Sequence, residues 1–339
     1  MKEKPKLLVL LDSHAIIHRA YHALPDFMSN DGVPTGALYG LSNMLMKIVS
    51  DLKPDYIVAC YDLPQKTFRH EAYDAYKAGR AKADEALIAQ LISSRKIFEA
   101  FNIPIYDAPG FEADDELGTI CEILKDQNIN IIIASGDMDT MQLVDGKRVQ
   151  VYTLKKGITD TILYDEDKVV ERFNFKPKFL PDYKGLRGDP SDNIIGIKGI
   201  GEKTATTLIS HFGTIEEIYK QVKKDEKVFK DLGLTPRILD LIKNNEEEAL
   251  FSKVLATIRR DAPIDFKLPE KTFWENISFE KIEKTFLEFG FRSLMTRLKS
   301  FFGNYKSEEE LENFIKDAEV VPLEKVEEAS LLLWILNTE

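Results

Sequence analysis

Cysteine is almost missing from this 339-residue chain. Only Cys60 and Cys121 occur, each alone in an apolar stretch, which excludes a disulfide framework and a cysteine zinc site and fits a reducing cytoplasm. No apolar run reaches the roughly 18 residues a membrane helix needs, so no membrane partner is expected. The first apolar run, Leu7 to Leu11, is too short for a secretory signal and ends in Asp12. Repeats and low-complexity tracts are also lacking, and 18 glycines and 14 prolines fit neither a collagen-like nor a disordered chain. With 44% hydrophobic residues, the chain can build cores for two or three domains.

An excess of positive charge is lacking as well. The formal charge of −11 argues at first against nucleic acid, because phosphate binding needs a basic face. The charge is uneven, however. Residues 304–339 hold three lysines against ten acids, leaving only −4 on the first 303 residues. Between Lys66 and Lys82, five cations face two anions. That asymmetry says more than the total.

Up to about residue 140, short β-rich runs alternate with longer helical patterns, which predicts an α/β domain with a parallel sheet. The runs are 7–11, 56–61, 103–106 and 131–135, and a β pair at 149–152 and 161–164 closes the domain. Asp12, Asp62 and Asp137 each follow a run within two residues, at the carboxyl edge where open parallel sheets place ligands. From about residue 165 the pattern turns helical, predicting a second, mostly α domain. After Leu298 comes a glutamate-rich stretch and then the apolar segment Ala329 to Leu336, as though the chain stops just inside a further domain.

The acids Asp12, Asp62, Glu112, Asp114, Asp115, Asp137 and Asp139, with Asp189 and Asp192 from the next segment, could converge on that edge. Like charges crowded in one pocket repel and need cations. Hard oxygen donors without histidine or cysteine select Mg²⁺ or Mn²⁺ rather than zinc. Taken singly, each acid also reads as a helix cap or turn residue.

A second signal is Ile197 to Ala205, in which Gly199 and Gly201 precede a helix and would offer backbone N–H groups, flanked by Lys198 and Lys203, to a phosphate. It is no P-loop, because Glu202 separates Gly201 from Lys203. A third is Phe68 to Arg80, where Arg69, Lys77 and Arg80 interleave with Tyr73 and Tyr76. Such a mixture can hold phosphates and stack on an unpaired base, or form a solvated helix.

The strings Leu11–Ser13, FRHEAYDAYKAGR (68–80), GFEADD (110–115), SGDMD (135–139) and GLRGDPSDNIIGIKGIGEKTA (185–205) resemble the 5′ nuclease, or flap endonuclease, family. Within it they are most similar to the N-terminal 5′→3′ exonuclease domains of bacterial DNA polymerases I. The resemblance implies a PIN-like nuclease domain with a helical arch over 1–175, an α-helical helix-hairpin-helix (helix-three-turn-helix) DNA-binding domain over 176–300, and an acidic linker with the start of another domain over 301–339. It implies a two-metal hydrolase of DNA, with Asp12, Asp62, Glu112, Asp114 and Asp115 around one Mg²⁺ or Mn²⁺ and Asp137, Asp139, Asp189 and Asp192 around the other.

By the same resemblance Lys77 and Arg80 are the catalytic cations of the arch. Arg69, Tyr76, Lys198, Gly199, Gly201 and Lys203 contact DNA, and a K⁺ ion sits at the hairpin. The implied substrate is a 5′ flap or a nicked or gapped duplex, and the implied setting is a cytoplasmic, nucleoid-associated monomer, fused to a polymerase in the longer protein. Met138 and Ser13 depart from the family pattern, which has lysine or arginine and glycine there; neither removes an acid. The alternatives are a non-catalytic DNA-binding module and an RNA-directed nuclease of the same fold. The second does not account for residues 185–205.

Overall fold

A computed structural model describes residues 4–25, 27–29, 32–80, 82–156 and 160–303. Contacts gather Met1–Phe291 into one compact unit and Arg292–Glu339 into another. The boundary expected at 175/176 thus lies inside the first unit. Of the second, only a helix at Arg292–Gly303 is described, and the linker and further domain expected beyond it fall outside the described residues.

Six strands form the sheet: β1 (Lys6–Asp12), β2 (Tyr56–Cys60), β3 (Ile105–Tyr106), β4 (Ile129–Ala134), β5 (Val149–Lys156) and β6 (Asp160–Tyr164). Their order is β3-β2-β1-β4-β5-β6, parallel throughout except for the β5–β6 pair. Leu8 to Leu11 are fully buried, the continuous apolar run required of a strand covered on both faces. Around the sheet stand α1 (Ser13–Ala23), α2 (Gly36–Leu52), α3 (Phe68–Ala72), α4 (Glu85–Ala100) and α5 (Ala113–Ile123), with a 3₁₀ turn at Met138–Leu143. Both cysteines are buried and free.

The chain order reverses at β1, which pairs with β2 on one side and β4 on the other. In register, Asp12 lies opposite Cys60, and Leu11 opposite Ala134. The loops carrying Asp62 and Asp137 therefore leave the sheet beside Asp12, at the switch point where such sheets open a crevice.

The helical half comprises α6 (Glu166–Phe173), α7 (Leu180–Arg187), α8 (Glu202–Phe212), α9 (Ile215–Lys224), α10 (Lys227–Asp231), α11 (Pro236–Lys243), α12 (Glu246–Ala256), α13 (Phe273–Asn276) and α14 (Phe279–Glu288). None of the described helices is long and apolar enough to cross a membrane. Where an arch helix is expected, the described residues between Phe68 and Arg80 form only the five-residue α3 and a run of turns. Lys77 sits at φ +56°, a left-handed conformation that a continuing helix cannot hold.

Candidate active site

Each acid at the switch point is fixed by the element it begins or ends. Asp12 caps α1, accepting from the Ala15 amide at 3.1 Å, and its other oxygen accepts from Ser135 Oγ at 2.6 Å. Asp62 accepts from the Ala113 amide at the start of α5 at 2.8 Å and lies 3.7 Å from His14 Nδ1. Asp137 caps the 3₁₀ turn through the Asp139 amide at 2.8 Å, and its own amide donates to Ser135 Oγ. Asp114 lies in the first turn of α5.

Among the described residues, no lysine or arginine stands within ion-pair distance of Asp12, Asp62, Asp114 or Asp137. Burial, opposed by the Ser135 hydrogen bond and reinforced by Asp62, raises Asp12 to about 7. Burial and then the charges of Asp12, Asp137, Asp139 and Asp62 hold Asp114 well above the usual carboxylate range. The same acids that cannot shed charge to a side chain would shed it to a cation.

A second group of acids, next to the first, is neutralised from within. Glu112 takes Lys77 Nζ at 2.7 Å on one oxygen, and Arg69 and Tyr76 at 3.2 Å on the other. Asp192 pairs with Arg80 and accepts from Tyr76 at 3.1 Å. Asp139 and Asp189 share Lys184. Burial raises Asp139 to about 7 against the pull of Lys184, whereas Lys184 and Ser191 outweigh burial at Asp189 and lower it to about 2. Among the described residues, no three His, Cys, Asp or Glu side chains are drawn together as a ready-made metal cage. The all-oxygen, half-uncompensated donor set fits hard divalent ions.

Beyond α7 the chain turns back on itself. Asp189 and Ile194 exchange amide hydrogen bonds of 2.8 Å, and a Cβ on Gly196 would lie 2.2 Å from the Gly188 nitrogen, so only glycine fits there. The following segment, Lys198 to Lys203, is exposed apart from Ile200. Gly199 takes φ +101°, and Gly201 caps α8 without a side chain, leaving the first amides of an 11-residue helix open to an anion.

Residues 7–174 match the 5′-3′ exonuclease, N-terminal resolvase-like domain, and residues 175–278 the 5′-3′ exonuclease, C-terminal SAM fold. The chain belongs to the 5′-3′ exonuclease family.

It is 37% identical over 297 residues to the DNA polymerase I of Bacillus caldotenax, a match over 87% of this chain and 32% of that one. The chain thus spans about a third of the length of the curated relatives it matches. The bacteriophage T5 flap endonuclease, solved with DNA and metal ions, shares the fold at TM-score 0.59 and 18% identity, over 88% of this chain and 98% of that one. The catalytic core of Rad2 with DNA substrate does so at TM-score 0.53 and 15% identity, over 90% and 93%. This family member is accordingly a resolvase-like, PIN-type domain followed by a SAM-like helical domain.

The acids and cations expected from sequence take unequal positions. Asp115, expected as a metal ligand, is fully buried; its two oxygens take both terminal nitrogens of Arg69 at 2.8 Å and the amides of Glu112 and Arg259. Arg69, expected on DNA, is 3% exposed and also donates to the carbonyls of Leu255 and Thr257. Tyr76 is 4% exposed with its hydroxyl between Glu112 and Asp192, which leaves no ring face for a base. All three brace the site from behind. Sequence reasoning missed Lys184, whose partner Asp139 is 45 residues away. It also passed over the groove of about 460 Å³ beside Asp137, lined by His18, Arg19 and His22. The i, i+4 spacing of His14, His18 and His22 was its only signal.

Proposed function

We propose that the chain is a metal-dependent, structure-specific 5′ nuclease. It acts as a 5′→3′ exonuclease and 5′-flap endonuclease, hydrolysing DNA phosphodiesters where duplex meets single strand, as in Okazaki fragment processing and repair. The observation that carries this reading is the uncompensated set Asp12, Asp62, Asp114 and Asp137 at the switch point. Asp12, Asp62, Glu112 and Asp114 would hold one Mg²⁺ or Mn²⁺, and Asp137, Asp139, Asp189 and Asp192 the other. Two such ions, when bound, supply a nucleophilic water and stabilise the charge of an in-line phosphoryl displacement.

The remaining work falls to the chain's own groups. Lys77 and Arg80 now spend their charge on Glu112 and Asp192, and a scissile phosphate would take over that charge as the acids turn to metal. Ser135 holds Asp12 and the Asp137 loop in one frame. The groove of His18, Arg19 and His22 gives a strand a path to Asp137. The open amides after Gly201, with Lys198 and Lys203, grip the duplex backbone without reading sequence, with K⁺ at the hairpin. The domain works as a monomer in the cytoplasm at the nucleoid, as the N-terminal third of a polymerase-I-like protein.

Cleavage of a 5′-labelled DNA flap tests this directly. Product at the junction is expected with Mg²⁺ and not with EDTA or with Asp114→Asn. Tight flap binding with no metal-dependent product would make the chain a DNA-binding module instead.

A further inference from the structure

Lys184 is a cation that ties the two halves of the protein together at the acidic edge: it leaves α7 in the helical domain and reaches Asp139 of the sheet domain together with Asp189 of its own loop. Its Nζ contacts Asp139 Oδ1 and lies 2.5 Å from Asp189 Oδ2, with only 12% of the side chain exposed. Nothing in the proposed phosphate or metal contacts uses it. We propose that Lys184 is a built-in counter-ion for this pair of acids, which takes the place of a divalent cation in the metal-free chain, competes with it for the same oxygens, and makes this half of the site the weaker metal subsite. This rests on the nuclease reading and deepens it.

Three observations carry the inference. The first is the accounting of oxygens. Asp189 Oδ1 already accepts from the Ser191 amide at 2.9 Å and its hydroxyl at 2.6 Å, and Oδ2 is held by Lys184. A metal that approaches Asp189 meets either the filled Oδ1 or the Oδ2 that already carries the Lys184 ammonium. The second is the seat of the lysine. A Cβ on the neighbouring Gly185 would lie 2.6 Å from Ile215 Cδ1 and 2.8 Å from the Ala249 carbonyl, and Tyr183 and Leu186 are buried. Because α7 is pressed home, Lys184 can yield only by swinging its side chain, and an ammonium left beside a bound ion repels it. The third is the contrast along the same edge. Asp12, Asp62, Asp114 and Asp137 have no such lysine or arginine among the described residues, so an ion entering there has no ammonium or guanidinium to displace.

A purely structural tether between the two domains would predict something different: loss of Lys184 would destabilise the chain equally with and without metal and leave metal affinity unchanged. The test is a calorimetric Mn²⁺ titration without DNA of the wild type, Lys184→Met and Lys184→Arg, with melting curves in EDTA and in saturating Mn²⁺. The weaker binding event is expected to tighten about tenfold or more in Lys184→Met, the scale of one removed neighbouring charge, and to stay within about threefold in Lys184→Arg, which keeps that charge. The melting temperature of Lys184→Met should fall in EDTA and recover in Mn²⁺. Unchanged or weaker Mn²⁺ binding, or equal destabilisation in both buffers, overturns the proposal. If Lys184→Met does not fold without metal, Lys184→Gln takes its place under the same criteria. Flap cleavage by the wild type is scored separately, so a failed nuclease reading and a failed counter-ion reading give different results.

Discussion

Among the described residues, Asp12, Asp114 and Asp137 have no lysine or arginine within ion-pair distance, whereas Glu112, Asp192, Asp139 and Asp189, on the same edge of the sheet, each hold at least one. The two groups differ less in composition than in how they are balanced. The first is strained by its own charge and gains from any cation that arrives. The second is part of the chain's stability and must give up ion pairs before it can bind anything. On the proposed reading, one edge thus combines a subsite open to metal with a subsite already occupied by the protein's own cations.

Removing one acid from each group should therefore move stability in opposite directions. Asp114→Asn is expected to lower flap cleavage by on the order of 10²–10³-fold while raising the melting temperature in EDTA, since it deletes a repulsive charge. Asp192→Asn should lower the melting temperature in EDTA, because Arg80 loses its partner. Melting curves of the two variants without metal decide the matter, and a shift of the same sign in both breaks the comparison.

The strongest stabiliser of the balanced group is Arg69. Arg69→Met leaves Asp115 fully buried without its cation, at a cost of about 3–5 kcal/mol in urea unfolding. Combining it with Asp115→Leu should recover much of that loss, as expected for two residues that act as one pair. Additive losses would mean that the pair is not the source of the effect.

Proton linkage sharpens the contrast. Asp12 and Asp139 are raised to about 7, Asp114 well above its usual range, and Glu116, raised by burial, to about 9. A raised carboxyl binds more protons in the folded than in the unfolded chain, so stability is present at low pH and is lost as pH rises from the unfolded value toward the folded one. Metal-free stability should then fall between about pH 5 and 9, with each such group contributing up to ~1.4 kcal/mol per pH unit. Saturating Mg²⁺ should flatten the part due to the aspartates, and Glu116→Gln the part nearest pH 9. A metal-free profile that rises over this range would show that the first group is not under strain.

The strand-end aspartates were legible in sequence because parallel strands bury a continuous apolar run and release the chain at one edge. The division of labour between Asp114 and Asp115 was not. Neighbours on a helix point about 100° apart, so one faces the crevice and the other the interior, and nothing local reveals which. Arg69 read as a DNA contact because the carbonyl it serves, at Leu255, is 186 residues away. The turns around Lys77 were hidden for a similar reason: the Lys77 amide donates to the Asp192 carbonyl and the Asn193 side-chain amide to the Ala75 carbonyl, which holds them against the loop after α7. Gly188 and Gly196 lay within the quoted motif, but their mutual approach appears only once the loop is closed.

The smallest effects are expected at the hairpin, the one part of the molecule whose work depends on neither group of acids. Lys198 is exposed, and the segment it precedes offers amides rather than side chains. Lys198→Ala should weaken duplex binding modestly and reduce the slope of log affinity against log salt by about one, the signature of a single lost phosphate contact. Gly199→Val should weaken it further, since φ +101° suits glycine and an added Cβ would lie 3.0 Å from Leu241 Cδ1. In neither variant should Mn²⁺ titration without DNA change. Metal binding altered by either substitution would tie the hairpin to the acidic edge, and the proposed division between a metal-holding sheet domain and a DNA-holding helical domain would have to be redrawn around Lys184.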